Sequence, residues 1–241
     1  MPTVENKAAL AEIYAKAKAK IEAGVIPTTF IEAGHVLYRS INPESPRTYL
    51  PKPSAGGHVS KGLANKLLIP LDGADDRGNR FSGPSYDGSI LPAPGLYCVL
   101  QQQALVNEST HYSGKAPKWA LAGRCVLRVC VMGRLLVADL PPHNPRAMRF
   151  FRELGKDTWQ RVNDPKDCSI ARGIGLAVAQ SGFLQGLCVQ TVRESERSDE
   201  ERGDNLVLFA PPGRAVPALY IEGAYYYGKR AQPEVFAVDF P

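Results

Sequence analysis

Apolar positions fall in short runs separated by Gly, Pro and Asp, and the runs change between helical and strand spacing along the chain. Residues 4–24 are rich in Ala, Lys and Glu and stop at Gly24, which predicts an amphipathic helix. Val36-Leu37-Tyr38-Arg39 reads as the first strand. Residues 42–66 carry several Pro, Gly and Ser and read as a long loop, placed to act as a lid. A short apolar run at 67–71 follows. The next stretch, DGADDRGNRFSGPSYDGSILPAPG, holds too much Gly, Asp and Pro for regular structure. Strands are expected at 96–100, at 124–132 and 134–138 (as a pair around Gly133), in GLCVQTV and in NLVLF. Helices are expected after strand 96–100, at 145–161 with Pro145 at its start, and at 168–181 closed by Gly182. The tail 214–241 is expected to add two short strands.

Short strands mixed with three or four helices predict an α+β chain: a single domain with a small mixed β core and flanking helices. No internal repeat or low-complexity linker divides the 241 residues. A formal net charge of +5 suits a protein that handles anionic phosphates. Lys and Arg do not cluster among aromatics, so nucleic-acid binding is not expected. The five cysteines are odd in number and no pair has C-x-x-C spacing. They read as buried thiols of a reducing compartment, and no metal site is expected. No stretch reaches 18 uninterrupted apolar residues and no signal-like segment opens the chain. A membrane span is therefore not expected, and the site of action is expected to be cytoplasm, of the producer or of a target cell after delivery.

One carboxylate breaks the pattern. In GLYCVLQQQALVNE, residues 95–108, Glu108 lies four residues after Ala104 and three after Leu105. That spacing aims it at the helix's apolar face, where an unpaired charge is costly. Four other residues carry candidate chemistry. Arg39 ends a strand; it either reaches water or anchors a carboxylate or phosphate. Arg80 sits among small residues that let a ligand approach the backbone, where its guanidinium can fork onto a pyrophosphate. Tyr97 lies mid-strand as core packing or as a platform for a flat ring. Thr191 ends GLCVQTV before a charged loop. GIG at 173–175 lies within a helix, without the strand–loop–helix context of a dinucleotide-binding motif. The four histidines are scattered; His111, three residues past Glu108, reads as a surface residue.

Taken in order, LYRS, NRFSG, GLYCVLQQQALVNE and GFLQGLCVQTVRES…GDNLVLF resemble the RES-domain family of toxins over residues 34–210. Arg39 matches the family's first arginine, Arg80 the arginine of its RF motif, Tyr97 its strand tyrosine and Glu108 its glutamate. Thr191 stands where the family has serine, so the hydroxyl survives with an added methyl. The resemblance divides the chain into an N-terminal helical extension (1–33) and a catalytic domain (34–241), its core at 34–210 and its tail packed on it. It implies a fold similar to ADP-ribosyltransferase toxins and an enzyme that breaks the nicotinamide–ribose bond of NAD+, by hydrolysis or phosphorolysis. NAD+ is then a substrate, with no cofactor. Glu108, Arg39 and Tyr97 become catalytic candidates, and Arg39, Arg80, Tyr97 and Thr191 bind NAD+. A cognate antitoxin or an immunity protein that occludes the site is the implied partner. A protein mono-ADP-ribosyltransferase and a non-catalytic partner-binding module are the alternatives.

Overall fold

The computed structural model describes residues 6–43, 56–68, 81–82, 93–113, 120–162, 167–190, 204–211, 214, 216 and 218–229. In chain order these form α1 (Lys7–Glu22), β1 (Thr28–Ile31), β2 (Val36–Ile41), β3 (Gly57–His58), α2 (Lys61–Asn65), β4 (Gly95–Val99) and α3 (Gln102–Ser113). There follow β5 (Cys125–Val131), β6 (Leu135–Asp139), α4 (Pro145–Leu154), α5 (Thr158–Val162), α6 (Ser169–Ala179), β7 (Gly186–Gln190), β8 (Asp204–Phe209) and β9 (Leu219–Tyr226). The chain is α+β, with helices flanking one mixed sheet. The N-terminal segment holds a strand as well as a helix. Within the expected loop at 42–66, the described part contains β3 and α2.

The strand order is β1-β6-β7-β8-β4-β2-β5-β9-β3, and among the described residues the parallel pair is β6 with β7. Parallel neighbours need a long crossover, here α4, α5 and α6. The expected pairing of 124–132 with 134–138 does not occur. β5 pairs with β2 and β9, whereas β6 pairs with β1 and β7. Both edges of β5's end are already taken: Val131 exchanges bonds with Gly34 and His35, and the Met132 N–H donates to the Ala218 carbonyl. β6 is second in the sheet and β5 seventh. Five strand spacings on a flat sheet amount to about 24 Å, and the four-residue step from Val131 to Leu135 reaches about 14 Å at most. The sheet therefore curls until its halves face each other. Leu37, Leu127 and Val129 from one half share a core with Val137, Leu206 and Leu208 from the other.

A second core lies outside the first half, where α6 is buried along ten consecutive residues between α1 and the sheet. The two glycines of GIG belong to this packing. A Cβ on Gly173 would come within 2.9 Å of the Leu10 carbonyl in α1, and one on Gly175 would collide with the Phe81 carbonyl. α1 inserts Leu10, Ile13, Ala17 and Ile21 into this core.

Burial has a chemical consequence for the thiols. Desolvation pushes Cys98 up to about 11 (Arg39 opposing), Cys125 up to about 12, and Cys188 well above the ordinary range. The thiolate is the reactive form, so these three should resist iodoacetamide at pH 8 in the native chain and all five cysteines should react once it is unfolded. Peptide mapping after labelling checks this; native labelling of Cys98 would contradict the packing. The sign of the linked stability follows. The unfolded chain loses thiol protons near 9 while the native chain keeps them, so stability is full below 9 and falls as pH rises. For Cys98 the loss between pH 9 and 11 is roughly 3 kcal/mol.

Candidate active site

β2 and β4 meet at the centre of the sheet through one residue pair, Tyr38 with Val99. On their other sides, β2 pairs six residues with β5 and β4 pairs five with β8. The two halves thus splay apart at a seam. Along β4, Leu96 and Cys98 point into the core between the halves, while Tyr97 and Val99 point to the outer face. α3 covers that face, setting Ala104 and Leu105 against Val99, Val126, Leu121 and Tyr227.

Glu108 continues the apolar stripe of Ala104 and Leu105 and faces the sheet. Its Oε1 accepts two hydrogen bonds, from the Tyr97 hydroxyl and from Asn205 Nδ2, each at 3.2 Å. Asn205 sits in β8 opposite Val99 on one side and Val189 on the other. The corner between β4 and α3 fixes the head of β8. The Leu100 N–H donates to the Asp204 carbonyl, and the Asp204 N–H donates to Gln101 Oε1. Asn205 is only 4 % exposed, and its Oδ1 is buried without a partner. Tyr97 and Glu108 are half-buried, so the carboxylate stands at the rim of the seam. Two neutral donors on one oxygen orient the carboxylate.

Arg39 stands differently. It is registered with Leu127 and shares the strand face of Leu37 and Ile41, both in the inner core, so its Cβ leaves on the face opposite Tyr97's side chain. Its guanidinium fills the seam. Nη1 donates to the Tyr97 carbonyl at 2.6 Å, replacing a ladder bond that the splayed strands do not make, and Nε is buried without a partner. The structure therefore brings Tyr97 and Glu108 together side chain to side chain, and brings Arg39 to Tyr97 through the backbone. Arg80 and Thr191 lie outside the described residues, as does the side chain of His111.

Two site residues were not singled out from the sequence. Asn205 reads there only as the start of NLVLF. Arg124 precedes β5 and binds Ser40, with Nε on the hydroxyl at 3.0 Å and Nη2 on the carbonyl at 3.3 Å. Ser40 alternates onto Tyr38's face, so Arg124 brings a cation to the outer side of the seam. An aromatic band borders the same side, with Tyr225 edge-on to both His58 and Tyr227. Among the described residues, no group of three His, Cys, Asp or Glu is placed to hold a metal ion, and no helix is long and apolar enough to cross a membrane.

Compared with family models, with curated proteins and with solved structures, the chain finds no match in any of the three.

Proposed function

We propose that this chain is a toxin enzyme that cleaves the bond between nicotinamide and ribose in NAD+. The observation that carries the reading is the Glu108 carboxylate, aimed inward at the seam and held on one oxygen by Tyr97 and Asn205. A carboxylate so oriented suits a reaction in which positive charge develops on a sugar. When the C1′–N bond breaks, its electron pair stays on nicotinamide, which departs as a neutral ring. The ribose becomes oxocarbenium-like, and a fixed negative charge beside it lowers the barrier. Water or phosphate then adds at C1′. With water the products are nicotinamide, ADP-ribose and one proton.

The other residues take roles around this step. Tyr97 orients Glu108 and offers its ring to a flat ligand. Arg39, with a buried and unpartnered Nε at the seam, is a cation for the pyrophosphate, and Arg80 is a second from the neighbouring sequence. Thr191 supplies a hydroxyl for the ribose. NAD+ is consumed, so no recycled cofactor is required. Such an enzyme harms its producer, and a cognate antitoxin or immunity protein that occludes the seam is its expected partner. It acts in cytoplasm, of the producer or of a cell that receives it.

The test is nicotinamide release from NAD+ by the purified chain, followed by chromatography in three arms: buffer alone, added phosphate, and added cell lysate. Release in buffer with ADP-ribose as co-product is the expected result. A phosphorylated ribose product would name phosphate as acceptor, and label transferred to lysate protein would establish the protein ADP-ribosyltransferase alternative. Silence in all three arms rejects the reading and leaves a non-catalytic binding module.

A further inference from the structure

Asn205 carries more than the orientation of Glu108. A carboxylate only accepts, so the amide end that faces Glu108 must be the NH2, and the oxygen is the end left over. That oxygen is buried and unpartnered. A buried acceptor without a donor is costly, and a ligand that supplies the donor relieves that cost. The amide is also held from both sides by strands, since β8 is an interior strand between β7 and β4. Its acceptor is therefore fixed in place before any ligand arrives.

We infer that Asn205 is a specificity-determining residue of this site, its Oδ1 accepting one hydroxyl of the nicotinamide ribose while Glu108 engages the neighbouring hydroxyl. Two adjacent acceptors, one charged and one neutral, match a vicinal diol, which presents two donors side by side. Nδ2 couples them by holding Glu108 at the spacing the diol needs. The inference rests on the NAD+ reading and adds to it a preference for ribose over deoxyribose.

The experiment compares NAD+ with its analogues lacking either the 2′- or the 3′-hydroxyl of the nicotinamide ribose, on wild type, Asn205→Ala and Asn205→Asp. Comparing one analogue across variants cancels its intrinsic reactivity. Wild type should show a penalty in kcat/KM for each missing hydroxyl. In Asn205→Ala one of the two penalties should collapse, by about 10- to 100-fold, and the other should remain. Asn205→Asp keeps an acceptor but loses the donor to Glu108, so it should keep both penalties and lose kcat. Melting curves establish that each variant is folded. If Asn205→Ala loses rate yet keeps both penalties, or loses no rate, Asn205 has no role in specificity and the inference is overturned with the NAD+ reading intact. If wild type does not turn over NAD+, both fall together. A variant that does not fold is replaced by Asn205→Ser, which must show the same single collapse.

Discussion

Glu108→Gln should lower nicotinamide release at least 100-fold while leaving the melting temperature almost unmoved. The two side chains have the same shape. Glutamine keeps a carbonyl oxygen that can accept from the Tyr97 hydroxyl and from Asn205 Nδ2, so the contacts that seat α3 on the sheet persist. The negative charge is lost. Removing a preorganised electrostatic group from a reaction centre typically costs about 10²–10³ in kcat. The loss should fall on kcat more than on KM, because the charge acts on the sugar cation and not on the ground state. Steady-state kinetics beside a thermal melt decides the matter. A glutamine variant within 10-fold of wild type would mean that Glu108 is a structural carboxylate, and the proposed chemistry would lose its centre. Glu108→Asp sharpens the comparison: it keeps the charge but withdraws it by one methylene from Tyr97 and Asn205, and it should also be slow if position matters.

The inward aim of that carboxylate was legible before any fold was known, because helix periodicity alone ties Glu108 to Ala104 and Leu105. The strand that carries Tyr97 was legible for a similar reason, as a dense apolar run between turn residues. Asn205 was not. Its amide gains meaning only when β8 lies beside β4, and strand neighbours distant in sequence leave no mark on local pattern. The same limit explains the error at Gly133. Two apolar runs around a glycine ask locally for a hairpin, yet each had better partners elsewhere, and the sheet curled to satisfy both. β1 was missed because Thr28–Ile31 is short and sits directly behind a helix stop. Arg39 illustrates a third case. Its place in the strand was readable but not the strand's end, which lies at Ile41 and not at Arg39. Which face Arg39 leaves depends on register, and register placed it in the seam with its guanidinium on the Tyr97 carbonyl.

Gly175→Ala should be among the most damaging single substitutions in the chain, against the ordinary expectation for a helix. In an isolated helix the change is favourable by about 1 kcal/mol, since glycine is the poorer helix former. α6 is not isolated. A methyl on Gly175 would meet the backbone carbonyl of Phe81, and backbone cannot rotate aside as a side chain can. Phe81 has little room to retreat, because its neighbour Ser82 is 1 % exposed and packs so closely on β4 that a Cβ on Gly95 would lie 2.6 Å from the Ser82 Cβ. Overpacking of this kind costs about 3 kcal/mol or more, a fall of roughly 6–12 °C in melting temperature for a chain of this size. Gly62→Ala is the matched control: Gly62 lies in α2 with no heavy atom within 4 Å of the added methyl, so that variant should melt at or slightly above wild type. Equal melts for the two would mean that α6 does not approach Phe81 closely. A large gap between them would show that the segment following Arg80 in sequence is clamped between helix and sheet. Nicotinamide release by Gly175→Ala, measured well below its melt, would then report whether displacing that segment disturbs the site: a loss of rate in the folded variant would tie the clamp to catalysis, and full rate would confine its role to stability.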